Sequence, residues 1–233
     1  MALELALLDA SFEDDDAARN FRREFDADVV RYAVREGDLP PLASAADESG
    51  YDGAVITGSA ASVYWNRDWI TALKEWVADA ATRDVPLLGV CFGHQLLADA
   101  LGGRVTSMGE YELGYHVIRH DGDCRLFDGL DEWFVAFTAH SDEVVGLPDG
   151  ATAHARNPYS LHAFSMDSTF GVQFHPEMDL ATARRLMRHR GVDGEHIQRM
   201  LEDVSDGAHN EAEDAKVVFE NFEAVVAGSE PVR

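Results

Sequence analysis

The chain has 233 residues, and the 46% that are hydrophobic suffice to bury the core of a globular protein. Its formal net charge is −24, because 43 aspartate and glutamate residues outnumber 19 lysine and arginine residues. Such a charge disfavours nucleic acid and anionic membranes as partners, and no apolar run reaches the ~18 residues of a membrane span. The acidic residues are scattered along the chain, which favours a solvated surface suited to high salt and suggests a halophilic source.

The first part of the chain alternates short apolar segments with amphipathic ones. The apolar segments predict four strands, at 2–8, 28–34, 51–57 and 86–90. The amphipathic segments predict two helices, at 14–25 and 68–82. This alternation predicts parallel strands with helices on both faces of the sheet. In such sheets ligands bind at the carboxyl ends of the strands, which is where Gly58 and Cys91 fall.

Beyond Gly103 the apolar segments become shorter and are separated by turns. They predict further strands, partly antiparallel, at 103–107, 114–119, 132–138, 151–155, 160–165 and 170–174. Helices are predicted at 178–190, about 193–204 and 209–227. We therefore predict a mixed, mostly parallel α/β domain over residues 1–190. Residues 191–233 are expected to form a helical extension packed on the same domain, although a surface for a docking partner is the alternative.

The fourth predicted strand leads directly into a helical pattern at Cys91, within the segment PLLGVCFGHQLL at 86–97. Gly89 and Gly93 stand two residues on either side of the cysteine. This is the spacing of a nucleophile elbow, a strand-to-helix turn too tight for ordinary side chains. The following helix directs its N–H groups and dipole at the sulfur, which favours the thiolate of a residue whose free pKa is ~8.5. The pattern favours a catalytic cysteine, and a buried structural cysteine is the alternative.

A second motif, FGVQFHPE at 170–177, is a short strand that ends at His175. Pro176 disfavours the helical region for His175 and keeps the segment extended, so His175 and Glu177 point the same way. An imidazole with an orienting carboxylate is the pair that activates a cysteine nucleophile. His175 lies far from Cys91 along the chain, so only the fold can bring the two side chains together.

Together these motifs resemble those of the class I (triad) glutamine amidotransferases. The matching segments, in family order, are ITGS at 56–59, GVCFGHQ at 89–95, AHSDEV at 139–144 and QFHPE at 173–177. Within the family the chain looks most like the glutaminase part of GMP synthase and its stand-alone relatives. It departs from them at Ala-His-Ser-Asp (139–142) and at Thr-Gly-Ser (57–59), where they tend to carry Ser-His-Gly-Asp and Gly-Gly-Pro. The resemblance implies a flavodoxin-like three-layer sandwich.

The resemblance also implies a mechanism of acyl transfer from glutamine. Cys91 would attack the side-chain amide and form a γ-glutamyl thioester, while His175 relays protons and Glu177 orients the imidazole. The oxyanion would be stabilised by the backbone N–H groups of Gly58 and Phe92. This reaction needs no cofactor, and none is expected.

Resemblance places four further residues near the substrate glutamine: Gln95, His140, Ser141 and Asp142. Considered as residues alone, Gln95 could equally bind a neighbouring loop, and His140, like His94, could be structural. No metal site is expected, because no pair of the site histidines has the i, i+4 spacing of a helical metal motif. Cys124, in the polar segment Asp-Gly-Asp-Cys-Arg, is predicted to lie in a surface turn, and the two cysteines form no disulfide framework.

Three functions remain open at this point. The first is a glutaminase that supplies ammonia to a separate synthetase, because the chain carries no nucleotide-binding motif of its own. The second is a stand-alone hydrolase of γ-glutamyl amides or peptides that uses the same triad. The third, a non-catalytic binding protein, is disfavoured because no triad member is missing. Residues 1–10 lack a basic start and predict a strand, not a signal peptide, so the expected location is cytoplasmic.

Overall fold

The structure is a computed structural model that describes residues 2–12, 16–42, 50–189 and 206–228. Within these ranges the strands are β1 Glu4–Asp9, β2 Asp28–Ala33, β3 Gly53–Ile56, β4 Leu87–Val90, β5 Arg104–His120, β6 Trp133–Gly146, β7 Thr152–Arg156, β8 Leu161–Met166 and β9 Thr169–Val172. The helices are α1 Asp16–Glu24, α2 Asp68–Thr82, α3 Phe92–Ala100, α4 Leu180–His189, α5 Asp206–Ala212 and α6 Val217–Val226. No helix in the described ranges is long and apolar enough to cross a membrane.

All nine described strands belong to one sheet, in the order β2-β1-β3-β4-β9-β8-β7-β5-β6. The strands from β2 to β9 in this order are parallel, and the pairings from β9 through β8, β7 and β5 to β6 are antiparallel. The predicted mixed α/β sheet with helices on both faces is confirmed. The sheet is not mostly parallel as predicted, because four of its eight described pairings are parallel and four are antiparallel. Because β9 pairs with β4, with Val172 opposite Val90, the segment that leads to His175 lies beside the segment that leads to Cys91.

The two faces of the sheet are covered by different helices, as the alternation of side chains in β1 shows. Leu5 and Leu7 pack in a core cluster that includes residues of α1 and α6. Ala6 and Leu8 pack in a second cluster, with residues of α2 and α3. In the described part of the C-terminal region, Phe219 of α6 makes edge-on aromatic contacts with α1. The helix predicted at about 193–204 lies outside the described residues.

Strand β5 joins the two strands that the sequence pattern separated, at 103–107 and 114–119. It pairs with β6 on both sides of an irregularity, with Ser107 opposite Asp142 and Glu112 opposite His140. The residues between Ser107 and Glu112 interrupt the ladder and the apolar alternation, and Gly109 among them has a φ of 76°. The interruption explains why one long strand looked like two short ones.

The predicted surface position of Cys124 is wrong. The residue is 4% exposed and belongs to the same core cluster as Leu126 and Phe127. A short 3₁₀ turn, Arg125–Phe127, follows it and directs these side chains inward while the aspartates before it remain in the turn. Burial raises the pKa of the Cys124 thiol to about 12, so the residue behaves as a small apolar side chain.

Candidate active site

Cys91 occupies the one-residue junction between β4 and α3. Its φ of 53° and ψ of −104° lie outside the regions that ordinary residues adopt, a conformation that costs on the order of 1–3 kcal/mol. Backbone hydrogen bonds hold it there: Cys91 N donates to Val172 O at 2.8 Å, and Cys91 O accepts from Gln95 N at 3.1 Å. Strain of this kind, maintained by the surrounding sheet and helix, is characteristic of functional positions.

The glycines that flank Cys91 are required by close packing around the elbow. A Cβ added to Gly89 would lie under 3.0 Å from backbone atoms of Gly93. A Cβ added to Gly93 would lie equally close to the carbonyl oxygen of Ile56 in β3. Real side chains essentially never make such contacts, so α3 can approach β3 and β4 only with glycine at both positions. The spacing of the motif thus has a steric reason in this fold.

His175 and Glu177 follow β9 and form a buried pair. The backbone N–H of His175 donates to Phe137 O at 2.8 Å, and its ring Nδ1 lies 2.8 Å from Glu177 Oε1. The side chains are 8% and 6% exposed. Because the carboxylate can only accept, Nδ1 carries the proton of this hydrogen bond, which leaves Nε2 available to a second partner.

The electrostatics of the site favour a charged His175. Burial alone would lower the pKa of the imidazole, but negative charge on Cys91 and Glu177 outweighs burial and raises that pKa well above its ordinary value. An imidazolium between two anionic groups stabilises a thiolate, which is the nucleophilic form of cysteine. The arrangement therefore prepares Cys91 for attack on an electrophilic carbon.

Gly58 precedes Cys91 in the chain and Phe92 follows it directly, and both lie next to the site in space. A Cβ on Gly58 would be 2.9 Å from His175 Cε1 and 3.7 Å from the Cβ of Cys91. Phe92 is the first residue of α3, so its N–H has no acceptor within the helix. Both backbone N–H groups belong to segments that directly adjoin Cys91.

A cavity of about 280 Å³ opens onto Cys91, His175, Glu177 and Gly58. It continues from these residues towards α1 and α4, where Phe12, Asn20, Met178, Arg185 and Leu186 contribute to its wall. Arg185 forms an ion pair with Asp16 at this end of the cavity. The cavity thus has the triad residues at one part of its wall and, beyond them, an extension whose wall combines apolar side chains with this ion pair.

Gln95, His140, Ser141 and Asp142 line a separate cavity of about 40 Å³, which also touches Cys91. Gln95 Nε2 donates to Asp142 O at 2.9 Å and to Gln173 Oε1 at 3.0 Å, which is the loop contact that its position in the sequence left open. Ser141 is exposed, whereas Asp142 is buried and accepts a 2.9 Å hydrogen bond from the Tyr64 hydroxyl. These residues form the wall behind Cys91.

The sequence patterns did not indicate that residues of α1 and α4 line and support the cavity beside Cys91. Arg23 of α1 donates to the carbonyl oxygen of Glu177 at 2.8 Å and forms an ion pair with Asp179, so it fixes the segment that carries the carboxylate. Phe12 could have been found, because it follows β1 at the carboxyl end of the parallel strands. No pattern in the sequence indicated Arg23 or Arg185.

His94, the other candidate site histidine, lies in the core. It is fully buried, its ring centroid is 5.1 Å from that of Phe164, and it lines neither of the two cavities beside Cys91. Burial lowers the pKa of His94 to about 3, so the imidazole is neutral at physiological pH. It packs α3 against the sheet and does not face His175 across the cavity.

Comparison with known proteins gives a consistent result. The family model described as glutamine amidotransferase class-I matches residues 15–192. Among curated proteins, the chain is 37% identical over 127 residues to GMP synthase (glutamine-hydrolyzing) of Helicobacter acinonychis, which covers 54% of this chain and 24% of that protein. It is also 37% identical over 129 residues to the same-named protein of Thermomicrobium roseum, with 54% and 23% covered. The match thus spans about a quarter of these relatives.

Solved structures resemble the chain over nearly its whole length. A glutamine amidotransferase from Thermotoga maritima has a TM-score of 0.80 at 20% identity, covering 98% of this chain and 100% of that one. A glutamine amidotransferase from Methylobacillus flagellatus has a TM-score of 0.76 at 20% identity, with 100% and 98% covered. At this identity the likeness concerns the fold alone.

Proposed function

Because the chain belongs to the class-I glutamine amidotransferase family, we propose that it hydrolyses the side-chain amide of glutamine through Cys91, His175 and Glu177. The observation that carries the proposal is the strained cysteine at the elbow, which adjoins an imidazole whose pKa is raised by its two anionic neighbours. A structural cysteine would need neither the unusual backbone conformation nor a charged partner.

In the first step the Cys91 thiolate attacks the amide carbon of glutamine, and the carbonyl oxygen becomes an oxyanion. The N–H groups of Gly58 and Phe92 stabilise this oxyanion, and each such donor typically contributes about 2.7–4 kcal/mol to the transition state. The His175 imidazolium gives its proton to the nitrogen that leaves as ammonia. The remaining product is a γ-glutamyl thioester on Cys91.

In the second step the neutral His175 accepts a proton from water as the water attacks the thioester. Collapse of the second tetrahedral intermediate releases glutamate and returns the Cys91 thiolate beside the His175 imidazolium. Glu177 keeps the proton on Nδ1 throughout, so that Nε2 handles both transfers. Gln95, His140, Ser141 and Asp142 form the wall near the bound glutamine, with Gln95 and His140 both holding the Asp142 carbonyl in place.

We also propose that the ammonia passes to a separate synthetase, as in a GMP synthase-like system. The support is the identity to the glutamine-hydrolyzing GMP synthases over about a quarter of their length, since the rest of those proteins is not matched by this chain. On this proposal residues 1–190 are the catalytic domain and 191–233 a helical extension. The packing of α6 on α1 supports an extension that covers the same domain.

A second function, hydrolysis of γ-glutamyl amides or peptides, has one observation in its favour. The larger cavity continues beyond the triad between α1 and α4 and is partly walled by Phe12, Met178 and Leu186. Such an extension offers room for an apolar substituent on the amide nitrogen. The ratio of kcat/KM for glutamine to kcat/KM for a γ-glutamyl dipeptide separates the two: a ratio above one supports the glutaminase, and a ratio below one the peptidase.

The thioester can be tested directly by acid quench and mass spectrometry of the full chain during turnover of glutamine. We expect a γ-glutamyl adduct on the peptide that contains Cys91, and none on the peptide that contains Cys124. Cys124→Ala is the matched control, because it removes the other cysteine and leaves the adduct in place. Turnover with the adduct on any residue other than Cys91 would refute the assigned nucleophile.

A further inference from the structure

Two imidazoles and a carboxylate meet inside the protein where β5, β6 and β8 come close together. Glu112 lies directly opposite His140 in the β5–β6 ladder, and His162 of β8 approaches the same carboxylate. Glu112 Oε2 is 2.9 Å from His140 Nε2 and 3.5 Å from His162 Nε2. The side chains are at most 1% exposed, so bulk solvent does not reach these atoms.

The hydrogen bond on the other side of the His140 ring determines which nitrogen atom carries the proton. His140 Nδ1 lies 3.0 Å from Asp142 O, and because a carbonyl oxygen can only accept, Nδ1 is the donor. In the neutral ring the lone pair is then on Nε2, and it faces the Glu112 carboxylate. Two acceptors at 2.9 Å repel each other unless positive charge lies between them.

His140 Nε2 and Glu112 Oε2 are close, but within the described residues neither atom has a hydrogen bond of acceptable direction. Both ring nitrogens of His162 are likewise buried without a well-directed hydrogen bond to any described residue. Burial lowers the pKa of His162, so this ring is neutral. A neutral imidazole carries one N–H and one lone pair, so with its proton on Nδ1 His162 offers the lone pair of Nε2 to the cluster. The cluster then presents one lone pair from each of three side chains.

The geometry matches the requirements of a tetrahedral metal ion. The three ligand atoms lie within 4.8 Å of one another. Zinc bonds to nitrogen and oxygen of about 2.0–2.2 Å put neighbouring ligand atoms about 3.3–3.5 Å apart. The separation of 3.5 Å between Glu112 and His162 agrees with this value, and the separation of 2.9 Å between Glu112 and His140 would lengthen when an ion binds. The outer contact of His140 also fits, because ligating histidines typically donate their other N–H to a carbonyl, as His140 does to Asp142. Glu112 Oε1 is held by Asn157 Nδ2 at 2.6 Å.

We propose that Glu112, His140 and His162 bind one divalent transition-metal ion, of the class to which zinc belongs. One of the three ligands, His140, also lines the cavity of about 40 Å³ beside Cys91. The ion holds β5, β6 and β8 together and fixes the segment from Ala139 to Asp142, whose Ala139 carbonyl lies 3.8 Å from Cys91 Sγ. Its role is structural, and the proposal does not depend on the glutaminase reaction.

The test is a metal titration of the full chain without an affinity tag, after chelator treatment and dialysis into molar KCl. Co²⁺ serves as the probe, because tetrahedral coordination gives it visible absorption, and salt suppresses weak binding to the acidic surface. We expect one Co²⁺ per chain, displacement by Zn²⁺, and a higher melting temperature with either ion. His162→Gln and Glu112→Gln are expected to abolish this binding, and His116→Gln, on the same strand as Glu112, to retain it.

Absence of stoichiometric binding by the wild-type chain would overturn the proposal and leave a His140 imidazolium paired with Glu112. Binding by His162→Gln equal to that of the wild type would overturn it as well. Circular dichroism establishes that each variant is folded before titration. If a ligand variant does not fold, Asn157→Ala replaces it, because this change keeps all three ligands and is expected to weaken binding about 10–100-fold. Unchanged affinity of that variant would count against the site.

Discussion

His175 with Glu177 and His140 with Glu112 form two buried imidazole–carboxylate pairs, at 2.8 and 2.9 Å respectively. In the first pair the carboxylate binds Nδ1 and leaves Nε2 for Cys91. In the second a backbone carbonyl binds Nδ1, so the carboxylate faces Nε2. The residue types and the separations are nearly the same. What differs is the ring nitrogen that faces the carboxylate, and this decides whether the histidine serves proton transfer or, as we propose, metal binding.

The largest difference between the two pairs is expected on removal of the histidines. His175→Asn should lower kcat/KM for glutamine hydrolysis by about 10⁴-fold or more, because the residue transfers protons in both steps. His140→Asn should lower kcat/KM far less and act mainly through the melting temperature. Steady-state kinetics and thermal unfolding of both variants check this. Equal losses of kcat/KM in the two variants would show that the two pairs do not have different roles.

Removing the carboxylate of each pair should change the pH dependence of kcat/KM in one pair and not in the other. Glu177→Gln removes a charge that raises the pKa of His175, so the alkaline limit of kcat/KM should move to lower pH. The raised pKa of His175 also determines how the stability of the folded state depends on pH. A histidine with a raised pKa stabilises the folded state below its unfolded pKa of ~6.5, and this contribution is lost as pH rises through the raised value.

Glu112→Gln is the control for that experiment, because Glu112 is not among the groups that raise the pKa of His175. Its profile of kcat/KM against pH should keep the wild-type alkaline limit. If Glu112→Gln shifted the limit as far as Glu177→Gln does, the raised pKa of His175 would have to come from a wider network than its two neighbours.

Glu112→Gln should instead lower the free energy of unfolding. Removing one partner from a buried charged cluster typically costs about 3–5 kcal/mol, and Glu112 is 1% exposed. Urea unfolding at constant salt measures this free energy. A value within about 0.5 kcal/mol of the wild type would mean that the carboxylate has no charged partner to lose.

The two pairs also differ in how far the sequence predicts them. His175 and Glu177 are two residues apart in an extended segment, so their pairing follows from local geometry. Glu112, His140 and His162 come from three strands, and Glu112 lies beside an irregularity of β5 that no apolar pattern locates. The absence of i, i+4 histidines therefore said nothing about this cluster. Cys124 was misplaced for a related reason, since its neighbours are polar while its own side chain turns inward.

The smallest expected effect concerns the acidic surface that surrounds both pairs. With a net charge of −24, the folded chain should gain stability when salt screens its self-repulsion. The melting temperature should rise by several degrees between dilute buffer and molar KCl. Equal melting temperatures in the two buffers would contradict a halophilic adaptation.

The central claim, that Cys91 is the nucleophile of a glutaminase, is tested most directly by glutamate release from glutamine in molar KCl. The wild type, Cys91→Ala and Cys124→Ala should be measured side by side. The account predicts release by the wild type and by Cys124→Ala, and a loss of at least about 10⁴-fold in Cys91→Ala. Release by Cys91→Ala at a rate near that of the wild type would contradict it.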